Sequence, residues 1–133
     1  MSEYNTIEVD TGRTSMTDIT SEVRGIVKRS GVKDGICVVF SMHTTAGITI
    51  NENADPDVQI DMLHGLDMAF PDRPEFRHME GNSYAHLRTS CVGPSTTVIV
   101  SEGDLVLGTW QGIYLCEFDG PRRRRVLVKV VEG

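Results

Sequence analysis

Between Phe76 and Cys91 the sequence reads FRHMEGNSYAHLRTSC, which places His78, Glu80, Asn82 and His86 within nine residues. Two imidazoles with a carboxylate and an amide between them are the donor types that a borderline ion such as zinc accepts. His43, upstream in SMHTTAG, supplies a third imidazole. Three protein ligands leave a fourth tetrahedral position open, which distinguishes a catalytic zinc site from a structural one. Glu80, set between two of the ligands, is the candidate catalytic residue because a carboxylate there moves protons. The plainer reading is a group of satisfied or surface histidines.

The elements that must position these residues are legible from periodicity. Ile7 and Val9 alternate with Thr6 and Glu8, the mark of a half-buried strand from Tyr4 to Val9, and TGRTS after it is a turn. In DITSEVRGIVKRSG, Ile19, Val23, Ile26 and Val27 recur at helical spacing, with Asp18 or Thr20 to cap the start and Gly31 to close the end. ICVVF, after Gly35, is a β-branched run suited to a central strand, and AGITI is a second strand. His43, Thr44 and Thr45 therefore fall where one strand ends and the next begins.

In NENADPDV, Asp55 caps a helix whose first position is Pro56, and Met62, Leu66 and Ala69 form its apolar stripe. His64 lies off that stripe and is left out of the site. Glu52, Asp55 and Asp57 have two readings, complementation of the helix dipole or oxygen ligation of a hard cation. FPDRPEF ends the helix and delivers His78; Asn82 caps a short helix through Tyr84, Leu87, Arg88 and Cys91, closed by Gly93-Pro94, which puts His86 about one turn in. TTVIV, LVL, GIYLCEF and RVLVKVV then alternate with period two and predict a C-terminal β-meander. One domain of α+β type accommodates the whole chain, residues 1–133.

Composition narrows the function classes. The chain has 133 residues, an apolar fraction of 39% and a net charge of −6, so a core is affordable and a general nucleic-acid surface is disfavoured. Cys37, Cys91 and Cys116 are odd in number and widely spaced, which indicates reduced thiols, with Cys37 and Cys116 as small buried hydrophobes. No signal-like N-terminus and no membrane-length apolar run is present, so the expected compartment is cytoplasmic, with no membrane partner.

HTTAGITINENADPDV, EGNSYAH and GDLVLGTWQGIYLCEFDGPRRRR together resemble the YjbQ family of small proteins, also described as secondary thiamine-phosphate synthases. The resemblance runs from Asp18 to the last strand. It implies an α+β fold with a β-sandwich core of mainly antiparallel strands, assembly as a homotrimer, and a pocket with histidines and a bound divalent metal. The family's histidines fall on His43, His78 and His86, its acidic and amide positions on Glu80 and Asn82, and its terminal R-x-R on Arg122 and Arg124.

Thr109 and Gln111 flank Trp110 after Gly108, and their side chains are candidate ligand contacts, as are Thr44 and Asn82. For Trp110 itself, burial in the core is the plainer reading. Arg122 to Arg125 are four consecutive cations; they protect an edge strand by charge, or they offer guanidinium forks to phosphate oxygens. Two functional classes follow. In one, a metal and paired arginines act on a phosphorylated small molecule, and the reaction the resemblance implies joins a pyrimidine pyrophosphate to a thiazole phosphate; a metal-dependent hydrolase is the alternative, since imidazoles suit zinc better than the magnesium that pyrophosphate departure favours. In the other, the site is a non-catalytic module that binds a phosphorylated metabolite.

Overall fold

Ile7 and Val9 are the buried side chains of β1, Asn5–Asp10, and their polar neighbours are exposed, as alternation requires. The computed structural model describes residues 3–133, so the first two residues of the N-terminal reading lie outside the described residues. β2, Ser15–Asp18, begins inside the stretch expected to be a turn; its side chains are only partly buried, so alternation does not reveal it. The N-cap position of α1, Thr20–Ser30, falls on Ile19 with no side-chain cap, so neither Asp18 nor Thr20 fills it as expected; Asp18 accepts from the Thr20 N–H and hydroxyl just ahead of the helix, and Gly31 ends it with φ of 74°. A positive φ at that position is the glycine-favoured helix end.

β3, Gly35–Ser41, is central as expected; β4, Ala46–Glu52, follows it in the opposite sheet. Asp55 caps α2, Pro56–Ala69, by accepting from the Asp57 N–H, and the helix lies on the surface with Met62, Leu63 and Leu66 half-buried and Ala69 exposed. α3, Ser83–Val92, follows a proline-punctuated loop. Its buried Arg88 anchors it, donating to the Phe70 carbonyl and Asp67 and lying over the Tyr84 ring.

The C-terminal meander is not formed. β5, Ser95–Ser101, makes a hairpin with β6, Asp104–Leu105, but β7, Gln111–Glu117, crosses to the second sheet and β8, Arg123–Glu132, returns to the first. One sheet has the order β1-β8-β3-β5-β6 and the other β2-β7-β4, with every pairing antiparallel. Period-two alternation identifies a strand but not its neighbour. β7 is buried on both faces from Gly112 to Glu117, because it is the middle strand of a sheet covered on both sides.

The two sheets face each other across one apolar cluster that takes Val39, Val126 and Val128 from the first, Ile48, Ile113 and Leu115 from the second, and Val23 and Val27 from α1. Ala85 of α3 and Leu63 and Leu66 of α2 cover the outer face of the smaller sheet at Tyr114, Cys116 and Phe118. The fold is an α+β sandwich with three helices. Burial pushes the Cys37 thiol up to about 11 and the Cys116 thiol up to about 12, which makes both packing groups, whereas Cys91 is exposed. No described helix is long and apolar enough to cross a membrane.

Candidate functional site

A cleft of about 360 Å³ opens where the β3–β4 connection, the loop leading into α3, and the start of β8 meet. His43, Thr44, His78, Glu80, Asn82, His86, Arg122 and Arg124, eight of the ten expected site residues, line it. Thr109 and Gln111 do not. Both are exposed, Thr109 on the turn before β7 and Gln111 as the first residue of that strand, where its carboxamide oxygen accepts from the Gly108 N–H at 2.8 Å and closes the turn. Trp110 between them is 62% exposed, so it is neither core nor cleft.

The β3–β8 ladder ends with Ser41 opposite Val126, and the next N–H along β8, that of Arg125, donates to His43 Nε2 at 2.9 Å. Ser41 shapes the connection by donating to the Ala46 carbonyl at 2.7 Å and accepting from the His43 N–H at 3.2 Å. His43 is held in its neutral form, chiefly by burial and then by the nearby charge of Arg124, with Arg125 and Arg122 adding to it; its pKa lies below the ordinary imidazole value.

The four arginines have four different tasks. Arg122, just before β8, reaches back to the Asp119 carbonyl and to its Oδ2 at 3.0 Å. Arg123 pairs with Glu8 across the sheet, and Arg125 presents the backbone donor already described. Arg124 is buried and engages both Glu117 carboxylate oxygens, with Nε to Oε1 at 2.6 Å, while Nη2 also donates to the Thr45 hydroxyl at 2.8 Å. β8 lies between β1 and β3, so edge protection does not account for this run.

Glu117 itself was not among the expected residues. It is fully buried and accepts four hydrogen bonds, two from Arg124, one from the Thr11 hydroxyl at 2.6 Å and one from the Asp119 N–H at 2.9 Å. Burial pushes its pKa upward, but those hydrogen bonds outweigh burial and hold it below the usual carboxylate range. The available signal was a glutamate at the end of the apolar run GIYLCEF, because a charge in a buried strand needs a partner. Gly120 lets this corner close: a Cβ there would lie 2.0 Å from the Gly12 carbonyl oxygen and 2.9 Å from Glu117 Cγ.

Across the cleft, the His78 and His86 rings meet edge to face with centroids 5.4 Å apart, and Glu80 Oε1 is 3.8 Å from His78 Nε2. Asn82 occupies the N-cap position of α3, as expected, yet its side chain makes no capping bond; Nδ2 donates to Asp119 Oδ2 at 2.7 Å instead. The donor types suit zinc, but the side chains as arranged do not form a closed set. Among the described residues no three His, Cys, Asp or Glu groups gather closely enough to hold an ion. A neutral imidazole has one lone-pair nitrogen, and that of His43 is engaged with Arg125. The acidic residues near Asp55 follow the dipole reading, since Asp55 caps its helix.

Comparison with known proteins gives the chain its family and relates its fold to solved structures. Residues 5–133 match the family described as UPF0047 protein YjbQ-like. The chain is 54% identical to the UPF0047 protein YugU of Bacillus subtilis over 91% of its own length and 92% of the relative's. A UPF0047 protein of Methanocaldococcus jannaschii is 51% identical over 90% of this chain and 86% of its own. Among solved structures, a YjbQ/UPF0047 protein of Clostridium acetobutylicum superposes with a TM-score of 0.90 at 52% identity, covering 96% of this chain and 98% of that one. A YbjQ-like protein of Sulfolobus solfataricus gives a TM-score of 0.93 at 36% identity, covering 98% and 96%. With residues 5–133 matched and the fold shared with solved members, this chain belongs to the YjbQ-like UPF0047 family.

Proposed function

We propose that the cleft binds a phosphorylated small molecule and that Glu80 acts as a proton carrier on it. The observation that carries this reading is the meeting of two arginines, three imidazoles and an exposed carboxylate, drawn from distant parts of the chain, on one cleft. Guanidinium groups suit phosphate oxygens, and a fixed cation acts on negative charge without reorganising. Arg122 is exposed enough to reach a ligand directly. Arg124 contributes charge from a fixed position behind it, where Nε and Nη2 make the bonds to Glu117 and Thr45 and Nη1 takes no part in them. Group transfer, including the thiamine-phosphate synthase reaction, and phosphate-ester hydrolysis both fit these parts.

The test is calorimetry with inorganic phosphate and pyrophosphate. Arg122→Ala should weaken binding by about tenfold or more, the value of a lost charge-assisted contact, and unchanged binding would remove the reading. Glu80→Gln should keep affinity and abolish turnover in a synthase or phosphatase assay. Binding with no turnover in the parent protein would instead leave a metabolite-binding module.

A second reading adds a divalent metal, zinc by its donor types, and is favoured by the convergence of His78 and His86 beside Glu80. It would require His43 to release the Arg125 N–H. Bound, the ion would supply Lewis acidity. Metal analysis of His78→Ala and His86→Ala should show content well below the parent, with His64→Ala unchanged; equal content in all four proteins would set this reading aside.

We also propose self-association, as a trimer. Its support is the outer face of the five-stranded sheet, where Ile36, Phe40, Ile99 and Val131 are all exposed together. Sedimentation showing only monomer at micromolar concentration would refute it.

A further inference from the structure

An asparagine at a helix N-cap ordinarily spends its side-chain oxygen on a backbone N–H two or three residues on. Asn82 does not. It is 6% exposed, it lines the cleft, and its Oδ1 is buried with no donor of the protein reaching it among the described residues. The amide cannot turn over to relieve this. Its Nδ2 faces Asp119 Oδ2 at 2.7 Å, and Arg122 holds the same oxygen at 3.0 Å, so a flipped amide would set two acceptors against each other.

Native proteins rarely leave a buried acceptor unpaired, and a site whose buried polar group is completed by its ligand discriminates against analogues that lack the matching donor. From this we infer that the ligand carries a hydrogen-bond donor next to its phosphate: a hydroxylated or amino-bearing phosphate ester, whose donor is received by Asn82 Oδ1. The inference rests on the phosphate reading above and refines it. It also changes the part given to Asn82, which presents an acceptor to the ligand and so discriminates among phosphate esters, while Arg122 and Arg124 supply the attraction common to all of them.

Matched pairs test this in the full-length protein. Calorimetry would compare glycerol 3-phosphate with propyl phosphate, and 2-aminoethyl phosphate with ethyl phosphate, with inorganic phosphate as the common probe. The donor-bearing member of one pair should bind roughly tenfold tighter, since a buried acceptor left unpaired is penalised, and the pair that responds identifies the donor. Asn82→Leu should bring that ratio close to one. Because the variant also frees Asp119, a second readout uses the parent protein: the Asn82 carboxamide resonances should shift with the donor-bearing ester and not with its partner. Equal affinities within both pairs, or a ratio that survives Asn82→Leu, would overturn the inference while leaving phosphate binding intact. If no phosphate compound binds at all, the underlying reading fails and this inference with it.

Discussion

The two walls of the cleft are built on opposite plans. On the sheet wall, the Arg124 and Glu117 side chains are 5% and 0% exposed and every oxygen of the carboxylate is engaged. On the loop wall, the His78 and Glu80 side chains are 43% and 68% exposed and their one mutual contact is 3.8 Å long. A saturated carboxylate with a depressed pKa keeps its charge in place at Glu117, whereas the solvent-facing Glu80 carboxylate is open to whatever enters the cleft. The difference separates a fixed wall from an open one by degree of hydrogen-bond satisfaction rather than by residue type.

That contrast predicts unequal responses to mutation. The largest belongs to Glu117→Ala, which leaves Arg124 as an uncompensated buried charge and should cost about 3–5 kcal/mol in urea unfolding; a cost under about 1 kcal/mol would mean the sheet wall is no more rigid than the loop wall. The same pair has an acid signature. Because the folded pKa of Glu117 is depressed, its contribution is present above the ordinary carboxylate pKa of about 4.3 and is lost as pH falls through the folded value. Glu117→Gln should flatten that part of the stability profile.

His43 spans the two plans, and its effect should be intermediate. Its pKa is lowered, so stability linked to it is present above the ordinary imidazole value of about 6.5 and declines as pH falls toward the folded value, where a proton on Nε2 would displace the Arg125 N–H. Titration by NMR should place it below 6.5, and Arg122→Ala should move it back upward, since Arg122 is one of the charges depressing it. The smallest stability effect belongs to His78→Ala, which should stay within about 0.5 kcal/mol of the parent as an exposed substitution. A larger loss would place His78 in the framework.

The site was more legible than the topology. Spacing brought His78, Glu80 and His86 together and the resemblance added His43 and the Arg122–Arg124 pair; all of them line one cleft, on loops or within a few residues of an element's start. Thr109 and Gln111 lie outside the cleft, and the Gln111 carboxamide closes a turn, a task that uses the same polar side chains as ligand binding, so composition does not tell the two apart. Glu117 was passed over for the opposite reason: a strand pattern absorbs one charged residue without comment, and its partner lies seven positions on, across a chain reversal. The strand order was illegible in principle, since alternation records which side of a strand is wet but not which strand lies beside it.

The placement of β8 also bears on how the chain acquires its shape. It is the last element, yet it fills the space between β1 and β3, two strands from the first third of the sequence. As the chain emerges from a ribosome, those two have no shared neighbour until residues 123–132 arrive, and β3 can meet only β5. Arg124, carried on the same strand, arrives at the same moment. Assembly of the large sheet and of the cationic wall is thus one late event of high contact order, which favours slow folding and makes the nascent, incomplete sheet the stage most in need of protection from aggregation.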